Sequence, residues 1–178
     1  MKLVVRFERI AVDLIGPLPR TDDQMVYLLV CQDNFTKWVE AIPIPNKVSK
    51  TVADAFVKGW VCRFGSPKLM HQDNGAEFTS KLFKQVCSLL DVQRTTTTPY
   101  YPRSNGMVER VNQTLQTLLK CICAEAGKNW MEMVPYALSA YRASRHNSMG
   151  YTPNKLVFGR EASAPLDLEF VMRHTYSG

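Results

Sequence analysis

The sequence predicts one α/β domain built on a mixed five-stranded sheet, three strands antiparallel and two parallel, with helices on both faces. Three observations lead there. Strand-like apolar runs open the chain, helical periodicity then alternates with two further short strands, and the second half reads as helices alone.

Phe7 to Leu14 reads as the first strand, and Gly16-Pro17-Leu18-Pro19 stops it because proline cannot keep donating to a ladder. Asp13 falls near its end. Met25 to Gln32 is almost wholly apolar, the mark of a strand covered on both faces. Turn residues Asp33 to Thr36 hand over to a third strand, Lys37 to Ile44, as a hairpin. From Thr51 the period changes: Val52, Ala53, Phe56, Val57, Trp60, Val61 and Phe64 recur three or four apart, as on one helix face. Thr51 with Asp54 fits a capping pair, Gly65 a left-handed end, and Pro67 a stop. Lys68 to His71 is a fourth strand. A helix from about Ser80 to Leu90 presents Leu82, Phe83, Val86, Leu89 and Leu90, and Val92 to Thr97 is a fifth strand.

Pro99 to Gly106 is dense in turn formers and reads as a loop. A long helix follows, with Val108, Val111, Leu115, Leu118, Leu119 and Ile122 inward and Gly127 at its end. Asn129 with Glu132 caps another, running to about Arg145 and bent near Pro135. Thr152-Pro153 and Gly159 frame a last short helix, by the preference for proline at the start and glycine past the end. Residues 1–160 are the expected domain. Residues 161–178 carry no clear period and read as a poorly ordered tail.

At 178 residues and 46% hydrophobic content the chain can bury a core of ordinary size. Its net charge of +6 favours an anionic partner such as nucleic acid, although charge alone selects weakly. The five cysteines are odd in number and scattered through apolar runs, so they read as reduced core residues rather than a zinc set. With no apolar run of about 18 residues and no cleavable leader, neither a membrane nor secretion is indicated. The expected compartment is nucleus or cytoplasm.

Three carboxylates carry the chemistry. Asp73 lies in His71-Gln72-Asp73-Asn74-Gly75, after a short strand and at a glycine turn, where open sheets place their sites. Asp13 ends an apolar strand, where an unpaired carboxylate is expensive to bury. Glu109 opens the long helix and shares a polar stripe with Asn112, Gln113, Gln116 and Lys120. The spacing from Asp73 to Glu109 selects little by itself, since acidic pairs at any separation arise by chance. Singly, each acid has an ordinary reading: Asp73 as a turn former, Glu109 as a helix-dipole carboxylate, Asp13 as a strand-end cap. Together they form the oxygen-rich set that Mg²⁺ or Mn²⁺ needs, and two such ions can drive phosphodiester chemistry without a side-chain nucleophile. No histidine has a matched Ser or Cys that would support covalent catalysis.

Asp73-Asn74-Gly75 with Phe78, Thr98-Pro99-Tyr100, and Pro102-Arg103-Ser104-Asn105-Gly106-Met107-Val108-Glu109-Arg110-Val111-Asn112 resemble the integrases of retroviruses and Gypsy-type retrotransposons. The likeness extends upstream through Asp13-Leu14-Ile15-Gly16-Pro17 and Thr36-Lys37-Trp38-Val39-Glu40-Ala41. Downstream it takes in Ala140-Tyr141-Arg142 and Thr152 to Arg160. The resemblance implies a ribonuclease H-like fold, Mg²⁺ or Mn²⁺ as cofactor, and 3′-end processing and strand transfer of DNA. It implies that Asp13, Asp73 and Glu109 are both the catalytic and the metal-binding triad. It further implies that Tyr101, Arg103, Asn105 and Gly106 in the loop, with Asn112, Gln113 and Gln116 on the helix, approach DNA.

The loop reads Tyr-Tyr-Pro-Arg where many relatives carry Tyr-His-Pro-Gln. The zinc module and basic domain that usually flank such cores are not expected in this chain, which therefore reads as a core fragment, a truncated copy or a captured remnant. Family cores self-associate, and the helices bearing Trp60 and Tyr136 offer apolar residues for a homodimer, or alternatively fill the monomer core. The competing functions are an RNA-strand hydrolase of the same fold and a non-catalytic DNA-binding or self-association module.

Overall fold

The computed structural model describes residues 5–96, 110–121 and 129–162. Its sheet runs β3-β2-β1-β4-β5, from β1 (Arg9–Ile15), β2 (Tyr27–Asp33), β3 (Val39–Ile44), β4 (Leu69–Gln72) and β5 (Gln93–Thr96). The first three strands pair antiparallel; β4 joins β1, and β5 joins β4, in parallel. The expected mixed sheet is therefore present. β3 is an edge, which is where Pro43 can sit without costing a shared ladder bond.

β2 shows why its run is apolar throughout. Leu29 and Cys31 point into one core, Leu28 and Val30 into the other, and all four are fully buried. The first core lies under α1 (Ser49–Phe56), which continues through a π turn (Val57–Val61) into a last α turn (Cys62–Phe64). Here Gly59 meets the sheet: a Cβ at that position would stand 2.5 Å from Ile42 Cγ1, so only glycine lets the helix approach this closely. Trp60, Phe56, Phe78 and Phe83 fill this side, each contributing about 1.5–3 kcal/mol by burial. The one-turn α2 (Ala76–Thr79) and α3 (Lys81–Leu89) complete it.

The second core lies under α4 (110–121) and α5 (Trp130–Ala143), through Val111, Leu115, Leu118, Val134 and Leu138. Asn129 caps α5 by accepting from Met131 N at 3.1 Å, and Thr152 caps α6 (Pro153–Phe158) by accepting from Lys155 N at 3.0 Å. Gly159 ends α6 at φ +74°.

Several expectations change. Thr51 and Asp54 do not cap α1: the residue before it is Val48, Thr51 Oγ1 donates to Asn46, and Asp54 pairs with Lys58 one turn on. Their spacing matched a capping box, but the helix starts two residues earlier. On α3 the inward residues are Phe83 and Cys87, while Leu82 and Leu89 are exposed, because the true apolar stripe is narrower than the five residues proposed. Trp60 is fully buried and belongs to the monomer core, whereas Tyr136 is about half exposed. Cys31 and Cys87 are buried but Cys62 and Cys121 are exposed. The one-turn α2 was too short to announce itself by periodicity. Val108, Ile122, Gly127, the Pro99–Gly106 loop and nearly all of the proposed tail lie outside the described residues.

One buried charge cluster fastens α5 to β3. Glu40, 4% exposed, accepts from Trp38 Nε1 at 2.9 Å, Arg63 Nη1 at 2.9 Å and Arg142 Nη2 at 2.8 Å. Arg142 also donates twice to Val39 O and stacks 4.1 Å above the Trp38 ring. Burial pulls its pKa down and Glu40 pushes it back.

Candidate active site

The parallel register of β1 and β4 aligns Ala11 with His71 and Val12 with Gln72. One step further along the same register stand Asp13 and Asp73. Side chains alternate across a strand, so Asp13 projects to the face that carries α4 and α5, and Asp73 stands at the turn directly after β4. Asp13 is half-buried and Asp73 exposed.

Asp13 is held by a backbone and a side-chain donor, Asp73 by a backbone donor. Asp13 Oδ1 accepts from Leu14 N at 2.8 Å, and Asp13 Oδ2 accepts from Asn112 Nδ2 at 2.6 Å. Asn112 sits on the first described turn of α4, so that helix docks directly over the β1 carboxylate. Asp73 Oδ1 accepts from Gly75 N at 2.9 Å, closing a tight turn before α2. A Cβ at Gly75 would stand 3.0 Å from Asp73 Oδ1 and 2.8 Å from Glu77 Oε1, so a side chain there would press on both acids. Glu77 thus faces the same turn as Asp73, a neighbour to which the sequence reading attached no role. His71 shares this strand face, and its Nδ1 lies 3.1 Å from Thr95 Oγ1.

Among the described residues no three His, Cys, Asp or Glu side chains come together as a metal cage, and Glu109, Tyr101, Arg103, Asn105 and Gly106 lie outside them. The donor set that is described consists of carboxylate oxygens, which suits hard divalent cations.

Of the residues expected to approach DNA, the structure separates Asn112 from the other two on α4. Gln113 and Gln116 are exposed, while Asn112 turns inward onto Asp13. Gln116 and Lys120 line a cleft of about 700 Å³ against the loop after β1, with Pro17, Arg20 and Trp130 opposite. Trp130 is anchored there by donating from Nε1 to Pro19 O at 2.6 Å. Nothing in local sequence could have paired Asn112 with Asp13, since 99 positions separate them.

A family model described as "Integrase core domain" matches residues 6–102. The chain belongs to the integrase core domain family. Among its relatives, the retrovirus-related Pol polyprotein from transposon 412 of Drosophila melanogaster is 30% identical over 159 residues, covering 89% of this chain and 13% of that protein. This integrase core therefore spans a small part of the length of the curated proteins it matches. Among solved structures, the catalytic core domain of BIV integrase aligns with TM-score 0.69 at 25% identity, over 84% of this chain and 93% of that one. The HTLV-2 integrase catalytic core domain in complex with magnesium, in trimeric form, aligns equally well, with TM-score 0.69 at 20% identity over 84% of this chain and 95% of that one, a likeness of fold. The ribonuclease H-like sheet expected from the motifs is thereby shown.

Proposed function

We propose that this integrase core is the catalytic part of a metal-dependent polynucleotidyl transferase that processes DNA 3′ ends and joins them to target DNA, with Asp13, Asp73 and Glu109 as its metal-binding triad. The observation that carries this reading is the parallel pairing of β1 with β4, whose register sets Val12 beside Gln72 and so makes Asp13 and Asp73 the next residues in line on the two chains. Glu109 stands three residues before Asn112, a spacing at which helical residues share a face. With Asn112 donating to Asp13, a third carboxylate on that stripe would point to the same place.

Mg²⁺ or Mn²⁺, two ions in this reading, would supply Lewis-acid stabilisation of the phosphate oxygens and an activated water or hydroxyl. The chain's own residues supply position and charge. Asn112 and Leu14 N fix the rotamer of Asp13, and Gly75 N fixes that of Asp73. Gln113, Gln116 and Lys120 are exposed on the helix whose Asn112 meets Asp13, and Gln116 and Lys120 line a cleft along which a DNA strand would pass. Residues 1–160 constitute the core in this reading and 161–178 a tail. Its partners are the ends of the element's DNA and the target DNA, and it works as a dimer or higher oligomer in the nucleus or cytoplasm.

The test is cleavage or joining of an element-end DNA duplex in Mn²⁺. Asp73→Asn should abolish activity while leaving the fold intact by circular dichroism. Mn²⁺ should also raise Tm in the parent and not in Asp13→Asn. Equal activity in parent and Asp73→Asn would overturn the triad. A parent with neither activity nor a Mn²⁺ shift in Tm would fit a non-catalytic DNA-binding or self-association remnant instead.

A further inference from the structure

On the flank of α4 opposite Asn112, a second pocket opens between α4, the end of α5 and the turn after β2. Its volume is about 360 Å³. Lys37, Arg110, Arg145 and His146 line it, with hydroxyls from Thr114 and Ser144, and no acid stands among the described lining residues. Lys37, which Asp33 faces, shares this space with Arg110 and Arg145, and such a concentration of positive charge favours an anion there.

Each cation is placed by the fold. Lys37 is only 5% exposed and holds φ +63°, a conformation that costs energy for a residue with a side chain. Its Nζ donates to Asn34 O at 2.7 Å. The acid that faces it is Asp33, whose oxygens already accept from Phe7 N, Thr36 N and Thr36 Oγ1. Arg145 donates through Nε to Gly150 O at 2.7 Å, and no described bond engages its outer guanidinium nitrogens. Those nitrogens form the fork that suits a phosphate. His146 is pulled below its ordinary pKa by burial first, then by Lys37 and Arg110, as the convergence of the positive groups requires. On the floor, Gln32 is 1% exposed, and its Oε1 has no partner among the described residues, while its Nε2 donates to Tyr141 Oη at 3.2 Å. An occupant must therefore bring a donor as well as negative charge, as hydrated phosphate does.

We propose that this pocket is an anion site that seats a backbone phosphate of DNA, apart from the carboxylate pair. The two sites lie on opposite flanks of one helix, about 10–12 Å across with its side chains. A duplex crossing the start of α4 could reach both. That the phosphate is carried by DNA rests on the function proposed above; the anion site itself does not.

The experiment uses the full 178-residue chain and two probes, inorganic phosphate and a short DNA duplex. Followed by the NMR signals of its ring, His146 should take up a proton at higher pH when phosphate is added, and Arg145→Gln should weaken that phosphate response at least fivefold. The slope of log affinity for the duplex against log salt should fall by about one in Arg145→Gln. It should stay unchanged in Lys84→Gln, an exposed lysine of α3 on the other side of the sheet. No phosphate response at His146 in the parent would overturn the site. A phosphate response that Arg145→Gln abolishes, with the duplex slope unmoved, would overturn DNA as the carrier. Loss of Mn²⁺ stabilisation in the parent would instead strike the function proposed above and leave this site standing.

Discussion

Arg142, in the last turn of α5, and Arg145, two residues past its end, stand three residues apart, yet they are answered in opposite ways. Arg142 is closed in by the Glu40 carboxylate, the Val39 carbonyl and the Trp38 ring. Arg145 is exposed, gives one hydrogen bond to a backbone carbonyl, and looks onto a pocket already bearing Lys37, Arg110 and His146. A buried cation with its carboxylate in place is a fastening. A cluster of cations round a pocket with no acid among its described lining residues is a surface prepared for something negative. Residue type does not distinguish the two; the neighbours supplied by β3 and α4 do.

The largest effect should come from opening the fastening. Arg142→Ala leaves Glu40 buried with Arg63 alone, and should cost about 3–5 kcal/mol in urea denaturation. Arg145→Ala, in the same assay, should stay within about 0.5 kcal/mol, as for a surface change. If both cost the same, the distinction between fastening and binding surface fails. Next in size, Thr152→Ala removes the cap that starts α6 and should cost about 1 kcal/mol, with no change in the salt dependence of DNA binding.

A smaller effect should appear in acid. His146 has its pKa lowered below 6.5 in the folded chain by burial and by Lys37 and Arg110, so the unfolded chain takes up this proton first. Stability is therefore undiminished above about pH 6.5 and falls as the pH drops below it. His146→Gln should flatten the fall of Tm in that window; an unchanged profile would mean that the cations do not act on this ring. Smallest of all, Asp54→Ala breaks the pair with Lys58, in which both side chains are more than half exposed. It should shift stability by under about 0.5 kcal/mol, which sharpens the point that charge balance matters where water is excluded.

Much of the fold was readable from local pattern, because strand and helix periods are set by backbone geometry and by which residues must leave water. β2 announced itself as doubly covered, Thr152-Pro153 and Gly159 framed α6, and Asn129 capped α5 as its position implied. The failures share a cause. Thr51 and Asp54 satisfied a capping spacing, but competing partners at Asn46 and Lys58 took both side chains. Leu89 fitted an inward stripe, but the face of α3 that packs is the one bearing Phe83 and Cys87, and Leu89 is 87% exposed.

The sequence by itself determined the elements, their order, and the motif contexts of Asp13 and Asp73, since each depends on neighbours a few positions away. Only the tertiary structure decided that Asn112 steadies Asp13, that Trp60 belongs to the core and Tyr136 to the surface, and that Lys37, Arg110, Arg145 and His146 meet in one pocket. Those facts depend on which faces pack together across the sheet. Chain connectivity leaves that open until the apolar surfaces of β1, β2, α4 and α5 are buried against one another.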